Sequence, residues 1–456
     1  MSNNKATLEL GTKPIGSLLL QYALPAIIAM TASSLYNMVD SVFIGQGVGP
    51  MAIAGLAITF PFMNLSAAFG AAIGVGSSAL LSVKLGQRDY AIAQKILGNN
   101  ITLNVIVGVL LAAICLAFLD PILMFFGASE QTLPYAREYM IVILLGNVIT
   151  HLYFGMNAVL RAASKPRQAM YATMFTVVLN TALDPLFIYT FHMGIRGAAI
   201  ATILSQSVAL TWQFRLFSNK QELLHLRRGI YKLRGDIVKN ILAIGMSPFA
   251  MNVCACIIVI LINNGLMRHG GDLAVGAYGI VNRVAFVFVM ICMGINQGMQ
   301  PIAGYNYGAQ QYDRLMQVLK LSVIAATAVT VVGFIVAMLV PQLCVRLFTS
   351  HEELIGISVK VMRIVMSAFP IVGYQMVITI FFQSIGKAKV SIFLSLSRQL
   401  IFLLPPLLIL PQFMGIDGIL WSMPLSDVCS AIVTFVIMSM FMKRMRKENE
   451  TLKQSL

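Results

Sequence analysis

Twelve long segments of this chain carry almost no charged side chains, and they constrain its fold more than any other feature. A helix needs about 20 mostly apolar residues to cross the hydrocarbon core of a bilayer, and each segment reaches or approaches that length. Only 11% of the 456 residues are charged and 58% are apolar, whereas a soluble domain has about 25% charged residues. We therefore predict an all-α integral membrane protein with twelve transmembrane helices, and we exclude a soluble enzyme or a nucleic-acid reader.

The distribution of Lys and Arg predicts the orientation of these segments. With the N-terminus in the cytoplasm, the tails and the even-numbered connections hold 24 of the 32 Lys and Arg residues. Cytoplasmic loops are enriched in these residues, so we predict a multi-pass protein of the cell (inner) membrane with both termini cytoplasmic. The segments are 16–45, 51–83, 96–119, 139–160, 168–195, 197–214, 240–267, 273–312, 321–345, 364–386, 390–416 and 418–442.

An internal repeat divides the chain into two halves of six spans each. Residues 84–90 align with 306–312 at a shift of 222, and residues 194–197 align with 415–418 at a shift of 221. Six spans return the chain to its starting side, so the two lobes should be related by a pseudo-two-fold axis along the membrane normal, as in many secondary transporters. The predicted divisions are an N-lobe (1–218), a basic cytoplasmic linker (219–239), a C-lobe (240–442) and a cytoplasmic tail (443–456).

Polar side chains inside the N-lobe spans predict a functional site, because a charge in lipid costs at least about 2.5–3.5 kcal/mol. Asp40 on span 1 and Asp184 on span 5 fall within about two helical turns of the depth of Thr202 on span 6. Asn180 lies one turn from Asp184 on the same helix face, and Tyr139 on span 4 lies near this level. These side chains could bind a small cation, or the two acids could hold a proton. Alternatively, the acids merely meet water at the membrane interface.

Three more ionisable side chains lie inside the C-lobe spans. Arg398 and Asp427 both fall near the predicted midplane and could form a buried ion pair, and Arg283 could compete for Asp427. A structural ion pair and a group that contacts substrate are equally compatible with this pattern.

Pro25 in span 1 is a candidate hinge. Proline removes a backbone hydrogen bond and permits a helix to bend. Because Asp40 lies on the same span, ion binding there could bias this helix between straight and bent forms; a static kink is the alternative.

The abundance of methionine, with 28 residues, is compatible with an adaptable apolar cavity, although most of these side chains should only pack. Such a cavity would suit bulky amphipathic cations. The side chains predicted to line it are Tyr36, Asn37, Met63, Met174, Arg283 and Met293.

No catalytic or nucleotide-binding motif accompanies these features. The five His residues are scattered, and the chain has no HExxH, GxSxG or P-loop pattern. We therefore predict a transporter rather than an enzyme, with no cofactor, no ATP and no nucleic acid. It should be driven by a gradient of H⁺ or Na⁺ and act as a monomer, with a small-molecule drug or cation and membrane lipid as its partners.

Five stretches between residues 13 and 442 are distinctive in combination: Leu-Pro at 24–25, Tyr-Asn-Met-Val-Asp at 36–40, Asp-Pro at 184–185, Gly-Ala-Ala-Ile-Ala-Thr at 197–202 and Pro-Ile-Ala-Gly-Tyr-Asn-Tyr-Gly-Ala at 301–309. Together they resemble the multidrug and toxic compound extrusion (MATE) transporters. The likeness is to the prokaryotic branch whose key acids lie in the N-terminal lobe (DinF-like). It implies multidrug efflux, and hence antibiotic resistance, by H⁺ or Na⁺ antiport with bending of span 1.

The same resemblance implies a role for the N-lobe residues. The cation-coupling site would consist of Asp40, Asn180, Asp184 and Thr202, with Tyr139 in its hydrogen-bond network, and the first four would be the metal ligands if the ion is Na⁺. Another branch of the family carries acids in spans 7, 8 and 10. Here spans 7 and 10 have none and span 8 carries Arg283, which argues against ion coupling in the C-lobe.

Two other functions could be considered for a chain with this pattern of buried charges. A flippase for a lipid-linked saccharide, from the related superfamily, would prefer a cationic central cavity; Arg283 and Arg398 favour it, and the two N-lobe acids oppose it. An intramembrane enzyme would need a nucleophile with a base, or a metal set, and the sequence offers neither.

Overall fold

The computed structural model describes residues 3–48 and 50–454, and all regular structure within these ranges is helical. In chain order the helices are α1 (Asn3–Thr12), α2 (Ile15–Gly47), α3 (Pro50–Gly86), α4 (Tyr90–Ala117), α5 (Leu119–Phe125), α6 (Leu133–Leu145), α7 (Asn147–Ala162), α8 (Pro166–Pro185), α9 (Ile195–Phe217), α10 (Gly235–Gly308), α11 (Tyr312–Leu339), α12 (Pro341–Arg346), α13 (Glu352–Val365), α14 (Phe369–Ser384), α15 (Ala388–Leu396), α16 (Leu404–Ile409), α17 (Pro411–Met414) and α18 (Ile416–Gln454). Two π-helical turns, Leu186–Thr190 and Ser397–Leu403, follow α8 and α15.

The predicted twelve spans are confirmed. Eight helices are long and apolar enough to cross a membrane, and two bent helix pairs bring the number to ten. The 74 residues of α10 form two helices, because Gly271 interrupts it with φ of 65°, a left-handed backbone that glycine adopts without strain. With α9, whose 23 residues extend about 34 Å, the described chain forms twelve membrane-spanning helices.

Spans 4 and 10 are each broken, which the uncharged segments 139–160 and 364–386 did not predict. The α6–α7 pair bends by 56° and the α13–α14 pair by 52°. At the first break, the Asn147 side chain accepts a hydrogen bond from Ser66 Oγ (2.8 Å) and donates one to the Gly108 carbonyl oxygen (3.1 Å). These contacts tie the first residue after the break to α3 and α4.

The internal repeat is confirmed by the backbone. Left-handed conformations are uncommon outside glycine, yet they recur at the same shift in the two halves. The pairs are Arg88 and Gln310 (φ 59° and 57°), Ser164 and Gly386 (64° and 77°), and Gly194 and Gly415 (58° and 58°). The shift within each pair is 222 or 221, as in the sequence alignment, so the repeat is structural as well as sequential.

The chain forms two compact units. Unit 1 consists of Met1–Lys13 and Ile28–Asn252, and unit 2 of Pro14–Ile27 and Val253–Leu456. They differ from the predicted lobes in the first long helix of each half. The division falls within α2 soon after Pro25 and within α10 soon after Pro248, two prolines that the repeat pairs at a shift of 223. The start of α2 therefore belongs to unit 2, and the linker with the start of α10 belongs to unit 1.

Glycines permit close helix contact at these exchanged segments. In unit 2, a Cβ added at Gly298 would lie 2.5 Å from the backbone nitrogen of Ala23. In unit 1, a Cβ at Gly76 would overlap the carbonyl oxygen of Ile241. Gly76 and Gly298 occupy equivalent positions in the repeat. In each unit this glycine therefore lies against the start of a long helix, α10 in unit 1 and α2 in unit 2.

Candidate cation-coupling site

The two acids of the N-terminal half meet inside unit 1. Asp40 on α2 is 6% exposed and Asp184 at the end of α8 is fully buried. Their carboxyl groups lie within hydrogen-bonding distance of one another, and the Oδ1 atom of each has no partner within the described chain. Two buried carboxylates so close together repel each other unless a proton or a small cation neutralises them, so the pair is a candidate site for either ion.

Asn180 connects this acid pair to α9. It lies one turn before Asp184 on α8 and is 1% exposed. When the carboxamide is oriented to satisfy its neighbours, its nitrogen donates to Asp184 Oδ2 (2.9 Å) and its oxygen accepts from Thr202 Oγ1 (3.2 Å) and Thr202 N (3.0 Å). The amide therefore fixes the Asp184 carboxyl relative to Thr202.

Two tyrosines complete the cluster. The Tyr36 hydroxyl lies 3.2 Å from Thr202 Oγ1, although the sequence placed Tyr36 in a substrate cavity. Tyr36 precedes Asp40 by four residues and so shares its face of α2, which is the signal that could have assigned it here. Tyr139 on α6 is 2% exposed and close enough to Asp40 and Asp184 to interact with them electrostatically.

The structure thus brings together all five residues predicted for ion coupling, with Tyr36 as a sixth. Four helices supply them: α2, α6, α8 and α9. Pro185 directly follows Asp184 and lacks a backbone N–H, and the chain continues from it as a π-helical turn. Such turns occur frequently at functional sites because they displace a side chain from the regular helical register. The role of the five predicted residues in ion coupling stays a prediction.

The residues predicted to line a substrate cavity are divided between the units. Met63 and Met174 are half-buried in unit 1, and the Thr59 hydroxyl donates to Met63 Sδ (3.8 Å). Met293 is half-buried and Arg283 is exposed, both in unit 2. The side chain of Asn37 lies outside the described part of the structure. The grouping of these residues into one cavity stays a prediction.

The ion pair considered for the C-terminal half is present in unit 2. Arg398 Nε and Nη2 each lie 2.9 Å from Asp427 Oδ1, with the side chains 38% and 11% exposed. Ser426 Oγ donates to the Arg398 carbonyl oxygen (2.9 Å) and ties the π-helical turn to α18. Arg283 does not compete: within the described residues it forms no ion pair.

Twelve spanning helices built from a repeat, with a buried acid pair inside one unit, define a polytopic membrane transporter. The MatE family model matches residues 25–186 and 248–407, one match in each half of the repeat. Because they cover more than half of the chain, this protein belongs to the MATE family, whose members are transporters and not enzymes.

Individual relatives agree along almost the full chain. Multidrug export protein MepA of Staphylococcus haemolyticus (strain JCSC1435) is 25% identical over 423 residues, which are 92% of this chain and 93% of that protein. The structure of the MATE multidrug transporter DinF-BH, solved as a complex, is 36% identical, with a TM-score of 0.87 over 94% of this chain and 96% of that one. An outward-facing multidrug resistance MATE family transporter of the MOP superfamily has a TM-score of 0.90 at 24% identity, over 96% and 98% of the two chains; at this identity the likeness shows the fold alone.

Proposed function

We propose that this protein exports organic cations and other amphipathic drugs in exchange for an ion that binds at the acid pair. The observation that carries the proposal is the buried contact between Asp40 and Asp184, joined through Asn180 to Thr202. An unpaired charge inside a membrane-spanning unit is costly. Binding or release of an ion at the acid pair therefore changes the relative free energies of the protein's conformations. The full-length similarity to multidrug export proteins supports drugs as the substrate class.

The coupling cycle follows from the charge of this pair. An ion entering from outside neutralises the Asp40–Asp184 contact and favours the arrangement in which α2 and α8 are close. That change in unit 1 releases the drug outward, and ion release to the cytoplasm resets the carrier. A ligand shifts such an equilibrium only by its difference in affinity for the two states, and the acid pair supplies that difference for the ion.

The hydrogen bonds favour H⁺ over Na⁺ as the coupling ion. Two carboxyl groups at hydrogen-bonding distance accommodate one proton without further ligands. The satisfied orientation of Asn180 turns its nitrogen, which cannot ligate a cation, toward Asp184. For Na⁺, the amide would have to turn its oxygen inward, and Asp40, Asn180, Asp184 and Thr202 would then supply oxygen ligands.

The same proposal includes the membrane topology. The excess of Lys and Arg in the tails and even-numbered connections supports cytoplasmic termini and the cell (inner) membrane. Since the ion site is formed within unit 1 alone, a monomer contains every residue that the coupling step requires.

Transport by purified protein in liposomes, with pH and Na⁺ gradients imposed independently, tests this function. We expect a pH gradient alone, acid outside, to drive drug export, and Asp40→Asn and Asp184→Asn each to abolish it. Glu138→Gln is the matched control, because this exposed acid neighbours Tyr139 and only pairs with Arg196 at the surface. Normal gradient-driven export by both variants would overturn the proposal, and export driven by Na⁺ alone would assign the other ion.

The flippase alternative receives less support. The pair with Asp427 neutralises Arg398, one of the two cations that favoured a site for an anionic pyrophosphate. Deletion of the gene separates the two functions: drug hypersusceptibility is expected for the exporter, whereas conditional lethality or loss of surface glycan is expected for the flippase.

A further inference from the structure

The linker between the two halves (219–239) is hydrogen-bonded along α4. The Gln94 side chain donates to the carbonyl oxygen of His225 and accepts from the His225 backbone nitrogen (3.2 Å). One turn further on, Asn99 donates to the Lys232 carbonyl oxygen (3.2 Å) and accepts from Arg234 N (3.0 Å). Each amide thus makes a reciprocal pair with linker backbone, which fixes the position of the linker on the helix.

The deepest of these contacts reach into the uncharged part of α4. The Thr102 hydroxyl donates to the Tyr231 carbonyl oxygen (2.9 Å), and Thr102 lies about 18 Å along the helix from its first residue. The linker backbone also packs closely on α4 at Gly98, where an added Cβ would overlap the carbonyl oxygen of Ile230. The residue Ile230 is 2% exposed. The uncharged segment begins at residue 96, so the linker meets α4 at the boundary of the hydrocarbon core.

The docked linker presents a mixed basic and apolar surface, which we call the linker face. It consists of Arg227, Arg228, Tyr231, Lys232 and Leu233, all exposed. Tyr231 is 42% exposed and Leu233 39%, although both are large apolar side chains. Tyrosine is enriched where protein meets the membrane–water interface, and Lys and Arg beside it reach headgroup phosphates.

The acids within the linker do not neutralise this face. Glu222 binds Lys165 (2.9 Å) on the loop between α7 and α8. Asp236 is engaged by Arg234, with Nε–Oδ1 and Nη2–Oδ2 distances of 3.1 and 2.8 Å. Within the described chain, no carboxylate pairs with the three basic side chains of the linker face, so it carries three uncompensated positive charges.

We propose that the linker face binds anionic phospholipid headgroups of the cytoplasmic leaflet. Arg227, Arg228 and Lys232 contact the phosphate oxygens, while Tyr231 and Leu233 enter the interface beside α4. A lipid fits better than a soluble phosphate ligand, because the basic side chains stand next to exposed apolar ones on a backbone pinned to a spanning helix. The inference rests on the cytoplasmic placement of the linker and not on the identity of the transported ion or drug.

Binding of fluorescent phosphatidylglycerol to the purified full-length protein in a neutral detergent tests the proposal. One basic residue beside an anionic headgroup contributes about fivefold in affinity, so the triple variant Arg227→Gln/Arg228→Gln/Lys232→Gln should bind at least about fivefold more weakly. The matched control is Arg137→Gln/Arg196→Gln/Arg346→Gln, which removes the same charge from residues that pair with surface acids. Binding by this control should stay within about twofold of the original protein.

Three outcomes would overturn the proposal. Equal loss in both triple variants would show a general charge effect, and equal binding of phosphatidylcholine would show no headgroup selectivity. Displacement by glycerol phosphate at the concentrations at which phosphatidylglycerol acts would show a soluble phosphate site. Tyr231→Ser/Leu233→Ser supplies a second readout, because it keeps the charge and should still weaken lipid binding.

A labelling experiment separates failure of this proposal from failure of the topology. The variant Arg228→Cys, in a chain without its native cysteines, should react with a membrane-impermeant maleimide in inverted vesicles and not in intact cells. Labelling in intact cells would overturn the cytoplasmic placement itself, whatever the lipid measurements give.

Discussion

Asp40 on α2 and Asp184 on α8 place their buried carboxyl groups within hydrogen-bonding distance, although most of the N-terminal half separates them in sequence. This contact makes the distance between the two helices depend on charge. With a proton or cation present the carboxyl groups attract, and without one they repel in surroundings of low dielectric. The same α2 passes from unit 2 to unit 1 soon after Pro25, so one helix carries both the ion site and the division between the units.

Replacing either acid by its amide should uncouple transport without unfolding the protein. Asp184→Asn keeps the shape of the side chain and removes the need for a proton, so the melting temperature should not fall. Gradient-driven export should fall to less than about a tenth, which corresponds to at least about 1.4 kcal/mol of lost coupling. Drug flux and melting temperature measured on one preparation check both statements; a low melting temperature with proportionally low flux would indicate misfolding instead.

The hydroxyl of Thr202 should tune the affinity of the site for its ion. Thr202→Val keeps the branched shape and removes the group that contacts both Asn180 and Tyr36. A lost hydrogen bond of about 1 kcal/mol should shift the ion concentration for half-maximal export by about fivefold. Thr211→Val is the control, because that exposed hydroxyl bonds only the Ser207 carbonyl within its own helix. An unchanged ion dependence in Thr202→Val would remove Thr202 from the coupling network.

The sequence predicted the site better than it predicted the irregular parts of the fold. Distance from the end of a membrane span gives the depth of each residue, and this predicted that four residues lie at a similar level: Asp40, Asn180, Asp184 and Thr202. The contacts of Gln94 and Asn99 with the linker could not be foreseen, since they join side chains to backbone atoms of a segment without regular structure. The break at Gly146 was not predicted either, because the contacts of the adjacent Asn147 with α3 and α4 arise only in the packed structure.

The glycine contact in unit 2 should be intolerant of a single methyl group. In Gly298→Ala, the Cβ would lie 2.5 Å from the Ala23 backbone nitrogen, and overpacking of this kind costs about 1–3 kcal/mol. Gly279→Ala in the same helix has no atom within 4 Å of the new Cβ and should be neutral or stabilising by up to about 1 kcal/mol. Thermal unfolding of the two variants in lipid measures the difference, and equal melting temperatures would contradict the close contact.

Pro25 should matter for the transport rate more than for folding. In the structure α2 is one helix from Ile15 to Gly47 with Pro25 inside it, so Pro25→Ala restores a backbone hydrogen bond and should not destabilise the protein. If α2 bends during transport, the same change should slow export severalfold at unchanged ion affinity. Pro61→Ala in α3 is the control for removing a proline from a spanning helix. Wild-type export rates in Pro25→Ala would favour a static role for this residue.

The ion pair of Arg398 and Asp427 should behave as a structural element of unit 2. Arg398→Leu leaves the Asp427 carboxylate, 11% exposed, without its partner. Breaking a buried pair costs about 3–5 kcal/mol; because Arg398 is 38% exposed, we expect about 2 kcal/mol here.

Replacing both residues by Leu should recover most of this loss, because no charge is then left buried. The exposed pair of Lys360 and Asp417, with a shortest distance of 2.7 Å and side chains 61% and 39% exposed, is the comparison; Lys360→Leu should cost less than about 1 kcal/mol. Chemical unfolding of the single and double variants gives the coupling energy, and drug export by the double variant gives the function. Recovered stability with export still lost would instead assign the pair to substrate contact, since a purely structural pair is dispensable once both charges are gone.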